Sequence, residues 1–238
     1  MMRQARSALI NIGLLATPLG RSARGGAAQS DILLMKDAHI LMENGRITQV
    51  GAGQPDGQTL EQVEIVDAKG ALVTPGLVDA HTHLVFGGWR AHELQLKLAG
   101  VPYLEILKQG GGILDTVRQT RAADKEALKE KAARALDGML AQGTTTVEAK
   151  SGYGLELDNE LKQLEAAAEL NQAHAVDIVS TLMAAHAMPP EYKDNRQGYM
   201  DLLIKAIIPA AAERGLAEFC DVFCETGVFS AEEAGQIL

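Results

Sequence analysis

The pattern of hydrophobic and polar positions divides the chain near residue 75. Upstream of that point, short runs rich in branched apolar residues alternate with turn residues, which is typical of β-strands joined by tight turns. Asn44-Gly45 predicts a hairpin, because both residues readily take the positive φ angles of a two-residue turn. Gly20–Ser30 is rich in Gly, Ser, Ala and Arg and predicts a loop. The predicted strands are Leu9–Thr17, Ile32–Met35, Ala38–Met42, Arg46–Gly51 and Val63–Ala68.

Downstream of residue 75, strand-like and helix-like segments alternate. Asp124 is suited to cap a long helix in which apolar residues recur at helical spacing. Ser230, followed three residues later by Glu233, is the signal of a capping box. Such alternation indicates parallel strands joined by crossover helices. The predicted strands are Leu77–Val85, Thr144–Ala149, Asp177–Ala184 and Glu218–Cys224, and the predicted helices are Tyr103–Lys108, Asp124–Gln142, Asp158–His174, Gly198–Arg214 and one that opens at Ser230.

A doubly wound sheet and a (β/α)8 barrel both satisfy this alternation. The polar residues capable of chemistry follow the C-terminal ends of the predicted strands, where barrel enzymes build their sites, and this placement favours the barrel. A closed barrel usually needs about 250 residues, and only about four of its eight βα units fit into residues 76–238. We therefore predict an α/β fold: the first half of a TIM-type (β/α)8 barrel over residues 76–238, preceded by the N-terminal part of a small β-sandwich domain over residues 1–75.

Composition narrows the classes of partner and compartment. The 238 residues carry a net charge of −9 with a pI near 5.2, and such a surface attracts neither nucleic acid nor an anionic membrane. No stretch approaches the roughly 20 apolar residues of a membrane span. The apolar run Ala8–Ala16 is interrupted by Asn11 and Gly13, which argues against a signal peptide. Cys220 and Cys224 are too few for a disulfide framework or a zinc site, so we expect buried free thiols in a cytoplasmic protein.

The strongest chemical signal is the run VTPGLVDAHTHLVFGG, residues 73–88. Successive strand side chains alternate between faces, so Asp79, His81 and His83 are expected to project from one face. Two imidazoles one residue apart can reach a single ion, and neutral imidazole suits zinc, iron and related metals. The same spacing is also compatible with two inert, hydrogen-bonded histidines at a strand end.

The context of the histidine pair resembles the amidohydrolase superfamily: Pro-Gly before an apolar strand, His-x-His at its C-terminal end and an upstream β domain. Longer motifs resemble the imidazolonepropionase family, hydrolases of histidine degradation. The resemblance runs from about residue 8 to the last residue, although Ala149 and the segment WRAHELQ depart from the commoner family residues. The motifs are FGGWR (86–90), GGGILDTVRQTR (110–121), EAKSGYGLELDNELK (148–162), AAHAMPPEYK (184–193) and FCDVFCETGVFS (219–230).

The resemblance implies that a metal-activated water opens a cyclic amide C–N bond of 4-imidazolone-5-propanoate and gives N-formimidoyl-L-glutamate, the third step of L-histidine degradation. It assigns one Zn²⁺ or Fe³⁺ ion per subunit to His81 and His83, with no organic cofactor. Arg90, Tyr153 and His186 are implied substrate contacts, and His186 is also implied to stabilise charge on the carbonyl oxygen. A guanidinium suits the propionate because it can donate two parallel hydrogen bonds. The implied partner is a small molecule, and a homodimer is compatible with the sequence.

Each implied substrate contact also has an ordinary structural interpretation. Arg90 is otherwise a solvated surface arginine, Tyr153 a turn residue packed on its own loop and His186 a hydrogen-bonded structural histidine. Lys150 follows the second barrel strand, so we expect it to support the SGYG loop or to face solvent rather than to bridge two metals. Three further histidines without such a context are interpreted as structural or surface residues: His39, His92 and His174.

Two other functions stay open at this point. One is a different cyclic-amide hydrolase or aminohydrolase of the same superfamily, such as a dihydroorotase-like or guanine-deaminase-like enzyme; the other is a noncatalytic fragment. In the family, a histidine from strand 5, a nearby glutamate and an aspartate from strand 8 complete the site, and we expect those residues beyond Leu238. We therefore expect this N-terminal fragment, by itself, to bind metal weakly and to be inactive.

Overall fold

The computed structural model describes residues 6–20, 22–102, 105–106 and 109–238. The chain separates into two compact units, Met1–Pro75 and Gly76–Leu238. The first unit is built from strands, and the second alternates strands with helices. None of the described helices is long and apolar enough to cross a membrane.

One five-stranded sheet makes up the first unit. Its strands are β1 (Arg6–Pro18), β2 (Ile32–Glu43), β3 (Arg46–Ala52), β4 (Glu64–Asp67) and β5 (Leu72–Val73). They lie in the order β3-β2-β1-β4, with β5 also paired to β1. Asn44 (φ 52°) and Gly45 (φ 75°) form the predicted tight turn between β2 and β3. A 3₁₀ turn, Gly26–Ser30, lies within the predicted loop.

Residues 32–43 form one continuous strand, so the predicted separation into Ile32–Met35 and Ala38–Met42 is wrong. The pairing of β1 with β2 shifts register next to Asn11. Asn11 and Asp37 both have positive φ angles, 54° and 49°, close to that shift. A bulge keeps a strand in its sheet while it interrupts the alternation of side chains, so from the sequence it resembles a strand end.

A four-stranded parallel sheet, curled as a half-barrel, is the centre of the second unit. Its strands are β6 (Leu77–Thr82), β7 (Thr144–Lys150), β8 (Asp177–Ala185) and β9 (Phe219–Val222). They lie in chain order, and each pairs parallel with the next. The sequence predicts all four, although β6 and β9 are shorter than the predicted Leu77–Val85 and Glu218–Cys224. Parallel pairing places the C-terminal ends of the strands along one edge of the sheet.

Helices connect the strands of the second unit. The hydrophobic pattern predicts neither of the first two helices, and most of the predicted helix Tyr103–Lys108 lies outside the described residues. The helices are α1 (Glu93–Leu98), α2 (Ile113–Ala122), α3 (Lys125–Ala141), α4 (Leu157–Ala173), α5 (Arg196–Leu202), α6 (Ile208–Glu213) and α7 (Ala231–Ile237), with a 3₁₀ turn at Pro190–Tyr192.

Both predicted helix caps are confirmed. Asp124 Oδ1 accepts the N–H of Ala127, 2.7 Å away, at the start of α3. At α7, Ser230 Oγ accepts the N–H of Glu233 at 3.2 Å, and Glu233 Oε2 accepts the N–H of Ser230 at 2.7 Å. Each cap satisfies N–H groups that have no partner within the helix.

The helix predicted over Gly198–Arg214 has an irregular centre. A π-helical turn, Leu203–Ile207, joins α5 to α6. Pro209 lies in the first turn of α6 and has no N–H to donate to the preceding turn. The π turn accommodates that interruption without ending the helix.

The core of the second unit lies between the sheet and its helices. Leu128 and Leu136 of α3 pack in one cluster with Val147 of β7, and each of these side chains is at most 1% exposed. Leu164 of α4 and Leu182 of β8 belong to a second cluster. Burial of each such side chain contributes about 1.5–3 kcal/mol. This packing fixes the strands whose C-terminal ends carry the candidate site.

Candidate active site

Two histidines lie at the C-terminal end of the first parallel strand. His81 is in β6, and His83 follows its last residue, Thr82. Their ring centroids are 6.3 Å apart, with an angle of 75° between the ring planes. His83 Nδ1 lies 2.9 Å from the Ser151 carbonyl oxygen, which can only accept, so Nδ1 donates and Nε2 keeps its lone pair. A ring fixed in this tautomer can bind a metal through Nε2.

The surroundings of His83 favour its neutral form. Burial, followed by the charge of the neighbouring His186, lowers the pKa of His83 to about 4, although the hydrogen bond to Ser151 acts in the opposite direction. Metals bind the unprotonated imidazole. At neutral pH, His83 therefore has no proton to lose before it binds a metal.

His186 follows β8 and stacks on His83, with ring centroids 4.5 Å apart and only 8° between the planes. Its Nδ1 lies 3.0 Å from the Gly152 carbonyl oxygen and must be the donor there. Burial lowers the pKa of His186, and the hydrogen bond to Gly152 opposes the effect. Because Ser151 and Gly152 are consecutive, one loop orients both stacked rings.

Aromatic side chains surround the stacked histidines. The ring of Tyr153, in the SGYG loop, is 5.0 Å from that of His83 and 5.3 Å from that of His186. Phe223, just after β9, places its ring 5.9 Å from His186. The ends of all four parallel strands, or the loops after them, therefore contribute to one cluster of rings.

A buried carboxylate ties the SGYG loop to α4. Glu160 is 0% exposed and accepts N–H groups from Gly152, Gly154 and Leu155 at 3.1, 2.8 and 2.8 Å. Burial raises the pKa of Glu160, and the hydrogen bonds donated to the carboxylate oppose that effect. Leu155 has a φ of 52°, an unfavourable conformation for a side chain of this size, which the hydrogen bonds help to hold.

Gln163 adds a second tie one turn further along α4. Its Oε1 accepts the N–H of Tyr153 at 3.1 Å, and its Nε2 donates to the carbonyl of Val85 at 2.6 Å. The segments after β6 and β7 are thus held by one side chain. Neither Glu160 nor Gln163 has a role predicted from the sequence. The signal that could have found them is a pair of polar residues on the buried face of α4, beside Leu164.

Arg90 lines a cavity of about 430 Å³ together with Tyr153, His186 and Phe223. Its side chain is 33% exposed, which is compatible with access to a ligand. The structure therefore brings the three predicted substrate contacts to one cavity. His83 adjoins that cavity through its stack on His186.

Comparisons with known proteins identify the relatives of this chain. Residues 64–105, which include the histidine pair, match the model of the Amidohydrolase family. The imidazolonepropionase of Streptococcus gordonii is 51% identical over 214 residues, covering 90% of this chain and 51% of the relative. That of Treponema denticola is 55% identical over 201 residues, covering 84% of this chain and 49% of the relative. Along most of its length the chain is therefore similar to imidazolonepropionases. It spans about half the length of the curated relatives it matches.

Solved structures with a similar fold include two guanine deaminases. The enzyme from E. coli matches with a TM-score of 0.61 at 15% identity, covering 98% of this chain and 49% of that protein. The enzyme from Bradyrhizobium japonicum matches with a TM-score of 0.55 at 18% identity, covering 90% of this chain and 43% of that protein. At these identities the likeness concerns the fold, a mixed α/β fold of the amidohydrolase type. This superfamily is metal-dependent.

Lys150 lies among charged side chains at the end of β7. It is 6% exposed, so the second of its two expected placements, facing solvent, is wrong. Its Nζ lies 2.8 Å from Glu148 Oε1 and 2.7 Å from Asp221 Oδ2. Burial acts to lower the pKa of Lys150, but the two carboxylates outweigh it and the pKa is raised. Thr181 Oγ1 also donates to Glu148 at 2.7 Å. This network links three neighbouring strands, β7, β8 and β9.

Replacing Lys150 with methionine should destabilise the protein by about 2 kcal/mol, because two carboxylates would then share a site without a cation. We set the effect below that of a fully buried pair because the Asp221 side chain is 39% exposed. Chemical denaturation monitored by circular dichroism measures the change. Lys129→Met, a matched change at an ion-paired lysine of α3, should alter stability little. Equal losses in the two variants would show that the network at the strand ends has no special role.

A second group of candidate metal ligands lies away from the histidine pair. It is the one group of three or more such side chains within the described part of the chain. Its members are His92, Glu93 and Asp115, whose ligand atoms lie within 4.8 Å of one another. Lys97 Nζ lies 3.2 Å from Glu93 Oε2, and Arg118 Nη2 lies 2.9 Å from Asp115 Oδ1. Cations already accompany both carboxylates, so this arrangement suits an ion-pair network better than a metal ion.

The remaining histidines make structural or surface contacts. His39 is buried in the first unit, with Nδ1 2.8 Å from the Gly53 carbonyl oxygen. His174 Nε2 lies 3.2 Å from Asp137 Oδ1, and the His92 side chain is 60% exposed.

Both cysteines are free, as expected, but the expectation of burial is wrong. Cys220 and Cys224 are exposed. In the described sheet, β9 has a neighbour on one side only, so its residues are less covered than those of β7 and β8.

Proposed function

We propose that the whole protein hydrolyses the ring amide C–N bond of 4-imidazolone-5-propanoate to give N-formimidoyl-L-glutamate. The proposal rests on relatives named imidazolonepropionase at about 50% identity. The observation that carries it is the cavity at the strand ends, where Arg90, Tyr153 and His186 adjoin an imidazole whose Nε2 is left to bind a metal. These contacts support a substrate site in which a cation suited to a carboxylate lines the cavity and an imidazole suited to a metal stacks on one of its walls.

We propose that His81 and His83 hold one Zn²⁺ or Fe³⁺ ion. The donor set fits such an ion, because His83 is neutral and fixed in the required tautomer. A catalytic metal of this kind lowers the pKa of bound water to about 7, which supplies hydroxide at neutral pH. Catalytic zinc usually has three protein ligands. We propose that the further ligands are those of the family, a histidine and an aspartate from later strands.

Arg90 is proposed to bind the propionate of the substrate. A guanidinium donates two parallel hydrogen bonds to a carboxylate and keeps its charge at all relevant pH values. Tyr153 is proposed to contact the ring, because it lines the cavity and its own ring lies 5.0 Å from His83 and 5.3 Å from His186. Together these side chains would hold the amide carbonyl near the end of β6.

His186 has a more specific proposed role than general polarisation of the carbonyl. Its Nδ1–H is engaged by Gly152, so the neutral ring presents a lone pair at Nε2. The neutral ring would therefore accept a hydrogen bond from a ring N–H of the substrate. Donation to a developing oxyanion requires a proton on Nε2, and burial opposes that protonation by lowering the pKa. We propose recognition of the N–H as the resting role and oxyanion stabilisation only in the protonated form.

We also propose an architecture for the whole protein. Residues 76–238 would be the first half of a (β/α)8 barrel, and residues 1–75 part of a small β-sandwich domain. The four parallel strands in chain order support the first proposal. The five-stranded sheet of the first unit supports the second, with the facing sheet supplied from elsewhere in the protein.

Turnover of the imidazolone by the full-length protein tests the proposed function. We expect loss of the substrate's ultraviolet absorption, formation of the formimidoyl product and about one metal ion per subunit by elemental analysis. A chelator should abolish turnover and added metal should restore it. Residues 1–238 alone should bind metal weakly and show no turnover, because among the described residues the histidine pair belongs to no group of three metal-ligating side chains.

Assays with other substrates of the superfamily can contradict the proposed function. Guanine and dihydroorotate represent aminohydrolase and cyclic-amide alternatives within the superfamily. Faster turnover of either one, or turnover of the imidazolone by the metal-free protein, would overturn the proposed function.

A further inference from the structure

A carboxylate is enclosed beside Arg90. Glu93, the first residue of α1, is 0% exposed. Its Oε1 accepts the N–H of Gly112 at 2.6 Å. A Cβ at Gly111 would lie 2.9 Å from Glu93 Oε1 and 2.7 Å from Ile106 Cγ2, so only glycine fits there. The glycine-rich loop therefore closes over this carboxylate.

The second oxygen of Glu93 lies between two cations. Oε2 is 3.7 Å from Arg90 Nη1 and 3.2 Å from Lys97 Nζ, and both contacts act through charge rather than well-aligned hydrogen bonds. Burial acts to raise the pKa of Glu93, but the N–H of Gly112 and the two cations outweigh it, so the pKa is lowered. Glu93 is therefore an anion at neutral pH.

The charges around Glu93 leave the positive charge of Arg90 largely uncompensated. Glu93 faces the two cations Arg90 and Lys97, and the nearby Asp115 has its own partner in Arg118, so two carboxylates face three cations and the group keeps a net positive charge. Lys97 is the closer of the two cations and is 48% exposed, whereas Arg90 lines the cavity with Tyr153 and His186. With Lys97 as the main counter-ion of Glu93, the charge of Arg90 is not cancelled. Without Lys97, the same carboxylate would neutralise the guanidinium and weaken its attraction for an anionic ligand.

We infer that Glu93 positions Arg90 while Lys97 neutralises Glu93, so that Arg90 is both held in place and left charged to bind a carboxylate in the cavity. This inference deepens the proposed function and rests on it for the identity of the substrate. It assigns Glu93 and Lys97 as positioning residues, since neither lines the cavity.

A double-mutant cycle in the full-length, metal-loaded protein tests the inference. Glu93→Gln should raise KM for the imidazolone about tenfold by loosening Arg90, and Lys97→Met should raise it about tenfold by leaving Glu93 to cancel the charge of Arg90. In both variants kcat should change less than about twofold, because the weakened contact to the propionate is equally strong in the bound substrate and in the transition state. Combining them should raise KM about tenfold rather than a hundredfold, since without the acid no counter-ion is needed.

Two inhibitors separate this role from a structural one. Binding of 3-(imidazol-4-yl)propanoate should weaken in the single variants, whereas binding of the uncharged 3-(imidazol-4-yl)propanamide should not. Lys129→Met should bind both as the unaltered protein does. Additive effects on KM, or equal weakening of both inhibitors, would overturn the inference. If the unaltered protein shows no preference for the propanoate and no turnover, the proposed function fails instead.

Discussion

Replacing His83 with alanine should lower kcat/KM of the full-length protein by more than about 100-fold, because altering a residue that merely supports a metal ligand already costs about 10–100-fold. The variant should also lose most of its metal. His83 combines three features of a ligand: its position at a strand end, an Nδ1–H donated to Ser151 and a pKa lowered to about 4. Elemental analysis and turnover of the imidazolone measure the two effects.

The matched control for this experiment is His92→Ala. His92 is exposed and belongs to the other group of candidate ligands, with Glu93 and Asp115. We expect this variant to keep its metal and its turnover. If His92→Ala lost its metal and His83→Ala retained it, the ion would lie at the group formed by His92, Glu93 and Asp115. That result would contradict the assignment of the metal to the histidine pair.

Replacing Glu160 with alanine should destabilise the protein by about 3–5 kcal/mol, because three N–H groups of the SGYG loop lose their acceptor. The change leaves the N–H groups of Gly152, Gly154 and Leu155 without their acceptor inside the protein. Each unsatisfied buried N–H costs about 1–3 kcal/mol, partly recovered if water enters. The free energy of unfolding from urea titration measures the loss.

Two variants of the same helix calibrate this result. Glu160→Gln keeps the shape and one acceptor oxygen, so it should lose less stability than Glu160→Ala. Asp158→Ala removes an exposed acid from the first turn of α4 and should have a small effect. If Glu160→Ala and Asp158→Ala were equally stable, the hydrogen bonds to the loop would contribute nothing.

Local sequence signals were sufficient for much of the fold. Asn44-Gly45, Asp124 and Ser230 each specify a turn or a helix start through contacts within a few residues, and all three are confirmed. The alternation of strands and helices predicts the parallel sheet, because each helix carries the chain back so that the next strand runs in the same direction. The break predicted in β2 is wrong because a bulge and a strand end interrupt side-chain alternation in the same way.

Part of the candidate site could be predicted from the sequence. His186 and Tyr153 follow strands, and the ends of parallel strands meet, so their approach to His83 follows from topology. Glu160 and Glu93 were missed because their importance depends on complete burial. A single sequence shows that a residue is acidic, but burial of that residue is decided by elements distant along the chain.

The adjacent carbonyls of Ser151 and Gly152 have a consequence for how this site can change over time. One dipeptide sets the angle of both rings, so under the roles proposed for His83 and His186 a shift of that peptide would alter ion affinity and ligand affinity together. The two properties cannot drift independently through changes at this dipeptide. Under those roles, divergence toward new ligands is easier through other lining residues of the cavity, such as Arg90, than through the loop that aligns the rings.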